Sequence, residues 1–266
     1  MWGEVTPAER LRSVTRRHVD DERLAAEAAD ALAGFADEPA SLVVACRRVI
    51  AHHATHAPLW WVCARILAAP EPGAAAHTAA REIEADRTGD RLGATLPLLD
   101  EGEVVAVISW AAAVDDALIE RFDLDVVALR VVGADPTQAL RRRRTDHPAR
   151  ILEPWDPSLG RVARMLVAGA AIGPENAIVP AGTADALETV VPTETWLVGG
   201  VGRVLPSPMY DALAKGVGSQ STDEEISLAS FDRIAGPKGV ERTHDAVSRI
   251  DCPIVPELLR RGEDSA

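Results

Sequence analysis

The chain has 266 residues, of which 47% are hydrophobic, 26% are charged and only 4% are aromatic, and its formal net charge is −13. This length is sufficient for a buried core in one large domain, or in a small domain and a larger one. Because so acidic a chain repels phosphates at long range, we expect no direct binding of nucleic acid.

No apolar stretch reaches the roughly 18 residues that a membrane-spanning helix requires, and the first residues lack the apolar core of a signal peptide. The three cysteines, Cys46, Cys63 and Cys252, are scattered and have no CxxC spacing. A disulfide framework is therefore not expected. Together these features predict a cytoplasmic protein without a membrane anchor.

The first hundred residues show apolar side chains at spacings of three and four, which is the period of a helix. The segment TPAE, from Thr6 to Glu9, is a capping box with proline at the first helical position. Four apolar-periodic stretches follow and are punctuated by prolines. We predict four or five helices, which form a helical N-terminal domain over residues 1–100.

The pattern changes near residue 102 to short apolar runs that are bounded by glycine, proline and aspartate. Several runs are unbroken, as in parallel strands that are buried on both faces. The runs are EVVAVISW, DVVALRVVGAD, ARILEPW, RMLVAGAA, ETWLVGGVG and FDRIAGPKG. Helix-like stretches such as AAAVDDALIERF and DPTQALRRRR separate them. This alternation predicts an α/β domain over residues 101–266 with a Rossmann-like parallel sheet that is flanked by helices.

Ligands of such sheets bind beyond the carboxyl ends of the strands, so the residues after each run are the candidates for a site. Ser109 follows the first run as a nucleophile or an anion-binding hydroxyl, or alternatively as a helix cap. It has no G-x-S-x-G context. Asp135, in VVGADP, is either an acid that binds ribose or metal, or the start of a helix before proline.

The segment LVAGAAIGPENAIVPAGTADALE, residues 166–188, supplies Gly169 and then Gly182-Thr183. Thr183 is a candidate N-cap, and a helix N-terminus that faces a crevice binds anions. The alternative is an ordinary cap without a ligand. In WLVGGVGRVLP, glycines are able to cradle a phosphate while Arg203 supplies charge, but the Gly-Lys-Ser/Thr ending of a P-loop is missing.

Two further clusters are weaker candidates. His52 and His56, in HHATH, have the four-residue spacing of helical metal ligands, but no third ligand accompanies them. We therefore expect no metal site. The run RRRR, Arg141 to Arg144, is able to meet a phosphate, but at the end of a short helix it is better interpreted as a solvated face.

The order of these motifs resembles the alpha/beta/delta subunits of translation initiation factor 2B. The prokaryotic relatives of those subunits include methylthioribose-1-phosphate isomerase and ribose-1,5-bisphosphate isomerase. The resemblance covers roughly residues 40–262 and is strongest over residues 164–206. It is carried by HAPLWWVCARIL, VVAVISWAAAVDDAL, the segment 166–187, ETWLVGGVGRVLP and CPIVPELL. It implies a NagB/RpiA/CoA-transferase-like fold and a homodimer that forms through the sheet domain.

The resemblance also locates departures from the isomerases. Their catalytic cysteine position is Ser109, and their catalytic aspartate position is Ala170. Of their N-K-I-G-T pattern only Gly182-Thr183 is kept, while Arg203 matches a basic residue that the pattern suggests holds a phosphate. The expected acid is thus missing, although an anion-binding frame remains in the sequence.

Three functions follow, in order of preference. The first is a non-catalytic, regulatory protein without a cofactor that binds a phosphorylated sugar or nucleotide through Ser109, Gly169, Gly182, Thr183 and Arg203. The second is a divergent aldose-ketose sugar-phosphate isomerase that uses Ser109 and Asp135. The third is an interaction subunit whose pocket is vestigial.

Overall fold

The computed structural model describes residues 21–137, 149–218 and 221–259, together with Glu9 and Leu11. Most of the TPAE box and the arginine run 141–144 lie outside the described residues. The helices are α1 (Asp21–Ala33), α2 (Pro39–His52), α3 (Ala57–Ala68), α4 (Pro72–Glu84), α5 (Thr88–Thr95), α6 (Ala112–Leu118), α7 (Thr183–Val190), α8 (Ser207–Ala214), α9 (Thr243–Val247) and α10 (Pro256–Leu259).

The strands carry the second half of the fold. They are β1 (Glu103–Ile108), β2 (Val126–Leu129), β3 (Arg150–Leu152), β4 (Arg161–Ala168), β5 (Ala171–Ile172), β6 (Asn176–Pro180), β7 (Glu194–Val198), β8 (Asp223–Ser227), β9 (Arg233–Gly236) and β10 (Gly239–Arg242). A short 3₁₀ turn, Leu228–Ser230, follows β8. Each of the six apolar runs that the sequence marks as strands contains a strand of the structure.

The helical unit comprises the described residues of Met1–Asp86, Val201–Gly216 and Ile250–Ala266. Its central element is α3, which contacts α1, α2, α4 and α8 and is buried over most of its residues. Trp61 of α3 is fully buried, and its Nε1–H donates to Asp251 Oδ1 at 3.2 Å. The guanidinium of Arg65 lies 4.8 Å from the Trp61 ring centroid, so this cation also covers the buried aromatic.

The sheet unit comprises the described residues of Arg87–Gly200 and Val217–Arg249. Its main sheet has the order β10-β9-β7-β4-β1-β2-β3, and every neighbouring pair is parallel except β9 with the antiparallel edge strand β10. Strands β1, β2 and β7 are buried along almost their whole length, as unbroken apolar runs predict. The predicted α/β class and mostly parallel sheet are confirmed.

The chain changes direction across this sheet at β1. From β1 it moves outward through β2 to β3, and then returns to the other side of β1 as β4 before continuing to β7 and β9. Adjacent strands β1 and β4 therefore flank a topological switch point, where open α/β sheets bind ligands. In their register Ile108 pairs with Val167, so Ser109 and Gly169 follow strand ends that lie side by side.

A second, three-stranded antiparallel sheet has the order β5-β6-β8 and was not predicted. Strand β6 is the short extended stretch expected within residues 166–188. Strand β8 has the sequence DEEIS and is exposed along much of its length. Because so polar a segment lacks an apolar alternation, periodicity does not distinguish it from a loop. The same reason explains why the edge strand β10 was not predicted.

The compact units do not follow the linear division at residue 100. Helix α5 contacts α6, and its Leu92 and the C-cap residue Leu96 belong to the core of the sheet unit. The chain thus enters the sheet unit after Asp86, and two later segments return to the helical unit. Sequence periodicity cannot reveal this boundary, since α4 and α5 are both helical. The two ranges as independently folding domains stay a prediction.

The three cysteines are buried free thiols. Hydrogen bonding with Cys46, followed by burial, raises the pKa of the Cys63 thiol well above its usual value. Burial raises the pKa of the Cys252 thiol to about 12. Among the described helices, none combines the length and the apolar character that crossing a bilayer requires.

Arg121 closes the C-terminal end of α5. Its Nη1 donates to the carbonyls of Gly93 at 2.6 Å and Leu96 at 2.8 Å. The Asp123 carboxylate accepts from Nε and Nη2 of the same guanidinium, which orients it. These hydrogen bonds lower the pKa of Asp123. A charged donor thus satisfies carbonyls that a helix end leaves without intrahelical partners.

We expect Arg121→Ala to lower the free energy of unfolding by about 1–3 kcal/mol, because these carbonyls lose a charged donor. Arg91→Ala, on the exposed face of α5, is the matched control and should stay within about 0.5 kcal/mol of wild type. Urea unfolding measures both. Equal losses in the two variants would contradict the capping role.

The lowered pKa of Asp123 adds a pH dependence with a defined sign. Its stabilising contribution is present above the unfolded-state pKa of about 3.9 and is lost as the pH falls through the lower folded-state value. The stability difference between wild type and Asp123→Asn should therefore shrink on acidification below that range. A difference that grows at low pH would show the opposite sign.

Candidate functional site

Ser109 ends β1 in an unusual backbone conformation. Its φ is +64°, in the left-handed region that residues other than glycine rarely occupy, and the side chain is half-buried. Strain of this kind costs about 1–3 kcal/mol and concentrates at functional sites. The turn brings Ser109 next to the loop after β4, at the switch point that the topology defines.

The loop after β4 uses its own backbone amides within the sheet unit. Gly169 N–H donates to the carbonyl of Val198 at 2.9 Å, and Ala170 N–H donates to the carbonyl of Ile178 at 2.8 Å. A Cβ at residue 169 would lie 3.0 Å from Leu197 Cδ1. Tight packing against β7 therefore explains the glycine without a ligand. A ligand-binding role for Gly169 stays a prediction.

The next residue, Ala170, has only a methyl group where the resemblance places a catalytic carboxylate. General acid-base catalysis contributes about 10²- to 10⁴-fold to such reactions and requires a group that titrates. Alanine supplies none. The switch point therefore combines a strained serine with a neighbour that is unable to transfer a proton.

The N-terminus of α7 differs from the prediction in its capping residue. The N-cap is Gly182, with φ +89°, and Thr183 is the first helical residue; the expectation that Thr183 is the N-cap was wrong. Glycine takes this place because the chain enters the helix through a left-handed conformation. Thr183 is fully buried, and its Oγ1 donates to the carbonyl of Pro180 at 2.5 Å.

An internal anion binds the N-terminus of α7. The carboxylate of Glu224, on β8, accepts from Ala184 N–H at 2.9 Å. Free amides and the helix dipole at such an end favour a negative group. The small antiparallel sheet places this carboxylate, because Glu224 pairs with Val179 on the strand that precedes α7. One amide of the helix end that was predicted to bind a ligand anion thus already has a charged acceptor.

Arg203 lies in the helical unit, whereas the other predicted ligand-binding residues lie in the sheet unit. Its side chain is buried, with 6% exposure. In the same glycine-rich loop, Val201 N–H donates to Asp86 Oδ2 at 2.9 Å. A carboxylate of the chain again accepts from a loop amide that was interpreted as part of a phosphate cradle.

A cavity of about 450 Å³ lies within the sheet unit, between the loops that follow β2 and β3 and the first two turns of α7. It brings together two sequence-predicted residues, Asp135 and Gly182. Ser109, Gly169 and Thr183 are not part of its wall. Asp135 accepts from Thr137 N–H at 2.9 Å and from Thr137 Oγ1 at 2.8 Å, as its interpretation as a helix start requires.

Three other members of the wall, Glu153, Trp155 and Asp185, were not predicted. Trp155 lies three residues after the end of β3 in ARILEPW, so its place beyond a strand was visible in the sequence. The high exposure of the Trp155 side chain was not visible in the sequence, because exposure depends on which elements of the fold cover the loop. Asp185 lies in the first turn of α7, where acidic residues are common for electrostatic reasons alone.

Gly133 allows the loop after β2 to pack closely on the entry to α7, beside the cavity. Its N–H donates to the carbonyl of Ala181 at 2.8 Å, so the loop after β2 lies on the entry to α7. A Cβ at residue 133 would lie 1.9 Å from the Thr222 carbonyl oxygen and 2.3 Å from Ala181 N. Both neighbours are backbone atoms that cannot rotate away. Only glycine fits this position.

The histidine cluster has local structural roles. His56 is the N-cap of α3, and its Nδ1 accepts from Leu59 N–H at 3.3 Å. His52 Nδ1 donates to the carbonyl of Arg48 at 2.9 Å. Within the described residues no three histidine, cysteine or acidic side chains form a group that is suited to a metal ion.

The similarity of this chain to known proteins lies in its fold and not in its sequence. No protein-family model matches the chain, and no curated protein sequence matches it either. Solved structures do. The eIF2B beta structure from Chaetomium thermophilum superposes with a TM-score of 0.64 at 14% identity, over 95% of this chain and 91% of that chain. The chain has the fold of an eIF2B subunit.

Two further structures agree with this eIF2B-like fold. The tetrameric eIF2B-beta2-delta2 complex from C. thermophilum gives a TM-score of 0.66 at 15% identity, over 91% of this chain and 92% of that chain. Translation initiation factor eIF-2B from Pyrococcus horikoshii OT3 gives 0.65 at 14% identity, over 91% and 98%. The resemblance inferred from the motifs is confirmed at the level of the fold. The relation to the isomerases stays a prediction.

We expect Gly133→Ala to cost about 3 kcal/mol of stability or more, because the added methyl group meets backbone on two sides. Gly218→Ala is the control, since a Cβ there has no heavy atom within 4 Å. That change should be neutral or slightly stabilising. Thermal and urea unfolding distinguish the two. A tolerated Gly133→Ala would mean that the loop after β2 moves off α7.

We expect Glu224→Ala to lower the free energy of unfolding by about 0.5–2 kcal/mol, the usual cost of losing a helix cap. Glu188→Ala, on the exposed side of α7, removes the same carboxylate without a cap and serves as the control. Urea unfolding at neutral pH measures both. If the two variants are equally stable, Glu224 does not cap α7 in solution.

Proposed function

We propose that this chain is a non-catalytic subunit with an eIF2B-like fold that acts by assembly with another copy or a partner, and not by turnover. The observation that carries the proposal is Ala170. At the topological switch point, where the resemblance requires a carboxylate, the chain has a methyl group next to the strained Ser109. Without a titratable group there, proton transfer between adjacent sugar carbons lacks one of its two participants.

The loop amides support the same conclusion. Ala184 N–H donates to Glu224 and Val201 N–H donates to Asp86, so carboxylates of the chain lie where a phosphate was expected. A ligand anion at either place would have to displace a like charge, which is unfavourable in a partly buried site. The chain thus keeps the fold, while its own carboxylates accept from the two amides at which a phosphate was expected.

Assembly with other subunits is the role that we propose for a chain that keeps the fold without the expected acid. One of the similar structures is a tetrameric eIF2B-beta2-delta2 complex, in which subunits of this fold associate. We transfer to this chain only the tendency to associate, and we propose a homodimer that forms through the sheet unit in the cytoplasm.

Light scattering coupled to size-exclusion chromatography tests assembly, and NMR of an aldose phosphate incubated with the protein tests turnover. We expect a dimer or larger species at micromolar concentration and no conversion of the aldose to its ketose. A monomer would contradict assembly. Turnover that disappears in Asp135→Asn would instead establish the divergent isomerase that uses Ser109 and Asp135.

A phosphorylated sugar or nucleotide at the switch point is the second candidate, and the φ of +64° at Ser109 favours it. A panel of sugar phosphates and nucleoside monophosphates in thermal unfolding tests it. A ligand at about 100 times its dissociation constant stabilises the folded state by about 2.7 kcal/mol. A selective shift that is lost in Ser109→Ala supports the binder. No shift across the panel rejects it.

A further inference from the structure

The cavity beside Trp155 has a wall chemistry that differs from that of the expected phosphate site. Its volume of about 450 Å³ is in the range of small-molecule sites. Its wall combines apolar groups, among them Val131, Pro154 and Ala186, with charged side chains at the ends of β2 and β3 and on α7. The described residues that line it all belong to the sheet unit.

The charges of the wall are unbalanced. Among the described residues of the wall, one guanidinium, that of Arg130, faces three carboxylates, so two negative charges remain. Arg130 Nε is paired with Glu153 Oε1 at 3.0 Å, and Asp135 is engaged with Thr137. The third carboxylate, Asp185, is exposed and has no cationic partner in the part of the chain that the structure describes. The wall thus attracts cations and repels phosphates.

An aromatic surface lies beside these carboxylates. Trp155 is 71% exposed and Val132 is 89% exposed, although both are large apolar side chains. Clustered apolar exposure of this kind marks a binding surface, and the face of tryptophan is the strongest aromatic partner for a cation. We propose that this cavity binds a small organic cation, in which a guanidinium or ammonium group is carried on an apolar stem.

Each part of the wall has a role in this proposal. Asp185 supplies the negative charge, Trp155 supplies a face for the cation, and the valine and proline side chains contact the stem. The inference does not depend on the loss of the catalytic acid, because neither Ser109 nor Ala170 is part of the cavity wall. It assigns to the cavity a ligand of opposite charge to the predicted sugar phosphates.

Isothermal titration calorimetry with two isosteric probes tests the claim on the full chain. Butylguanidinium and butylurea have nearly the same shape, but only the first is charged. We expect saturable binding of butylguanidinium that is at least about 10-fold tighter than that of butylurea and that weakens with added salt. Equal affinities, or tighter binding of ribose 5-phosphate at this cavity, would overturn the proposal.

Variants locate the site. Asp185→Asn should weaken butylguanidinium about 3- to 5-fold, the effect of one exposed charge pair, and leave butylurea unchanged. Glu188→Gln, on the same helix but outside the wall, should change neither affinity. Trp155→Ala should weaken both probes. If Asp185→Asn and Glu188→Gln behave alike, the binding is general surface electrostatics and the assignment fails.

A further variant distinguishes a free ligand from a segment of this chain as the occupant of the cavity. Arg141 to Arg144 carry the same guanidinium chemistry and lie outside the described residues. A variant with these four arginines changed to glutamine should bind butylguanidinium as wild type does. If only this variant binds the probe, the occupant of the cavity is the chain's own arginine run, and the small-ligand proposal is wrong.

Discussion

Gly133 allows three backbone segments of the sheet unit to meet: the loop after β2, the entry to α7 and the residues before β8. The distances from its missing Cβ, 1.9 Å to the Thr222 carbonyl oxygen and 2.3 Å to Ala181 N, leave no room for any side chain. The start of α7, the position of β8 and the wall of the cavity all depend on this approach. A backbone contact therefore organises the region where ligand chemistry was expected.

Carboxylates of the chain then determine the electrostatics of that region. The N-terminus of α7 and the glycine-rich loop after β7 each have an amide suited to an external anion. In this chain Glu224 and Asp86 accept from these amides, and Asp185 leaves the neighbouring cavity negative. Acidic side chains of the protein thus accept hydrogen bonds from specific backbone amides. These contacts oppose a phosphate at the same two amides, because it would meet a carboxylate of like charge.

The eIF2B-like fold persists here at identities of 14–15%. Buried parallel strands and helix packing depend on apolar character and length, which many sequences satisfy. A catalytic site depends on particular groups at particular atoms, so chains of one fold can differ at such positions, as alanine at residue 170 illustrates. The fold therefore supports statements about architecture, while function has to be argued from the site.

Much of this protein was determined by its sequence alone. Unbroken apolar runs predicted the six parallel strands of the main sheet. The 3.6-residue period predicted helices over α1 to α5, although one predicted stretch covers both α4 and α5. Burial of apolar faces is a local property of the pattern, so such predictions are possible. The sequence also showed, through Ala170, that the expected acid is missing.

Only the tertiary structure decided the rest. It assigned α5 to the sheet unit, formed a second sheet from the polar strand β8, and placed Glu224 on the amide of Ala184. It also separated Ser109 from the cavity that Asp135 and Gly182 share. These features join residues far apart in the chain, and polar segments carry no periodic signal that specifies such pairings. Contacts between distant polar groups depend on how the elements pack. The local pattern of a single sequence does not specify that packing.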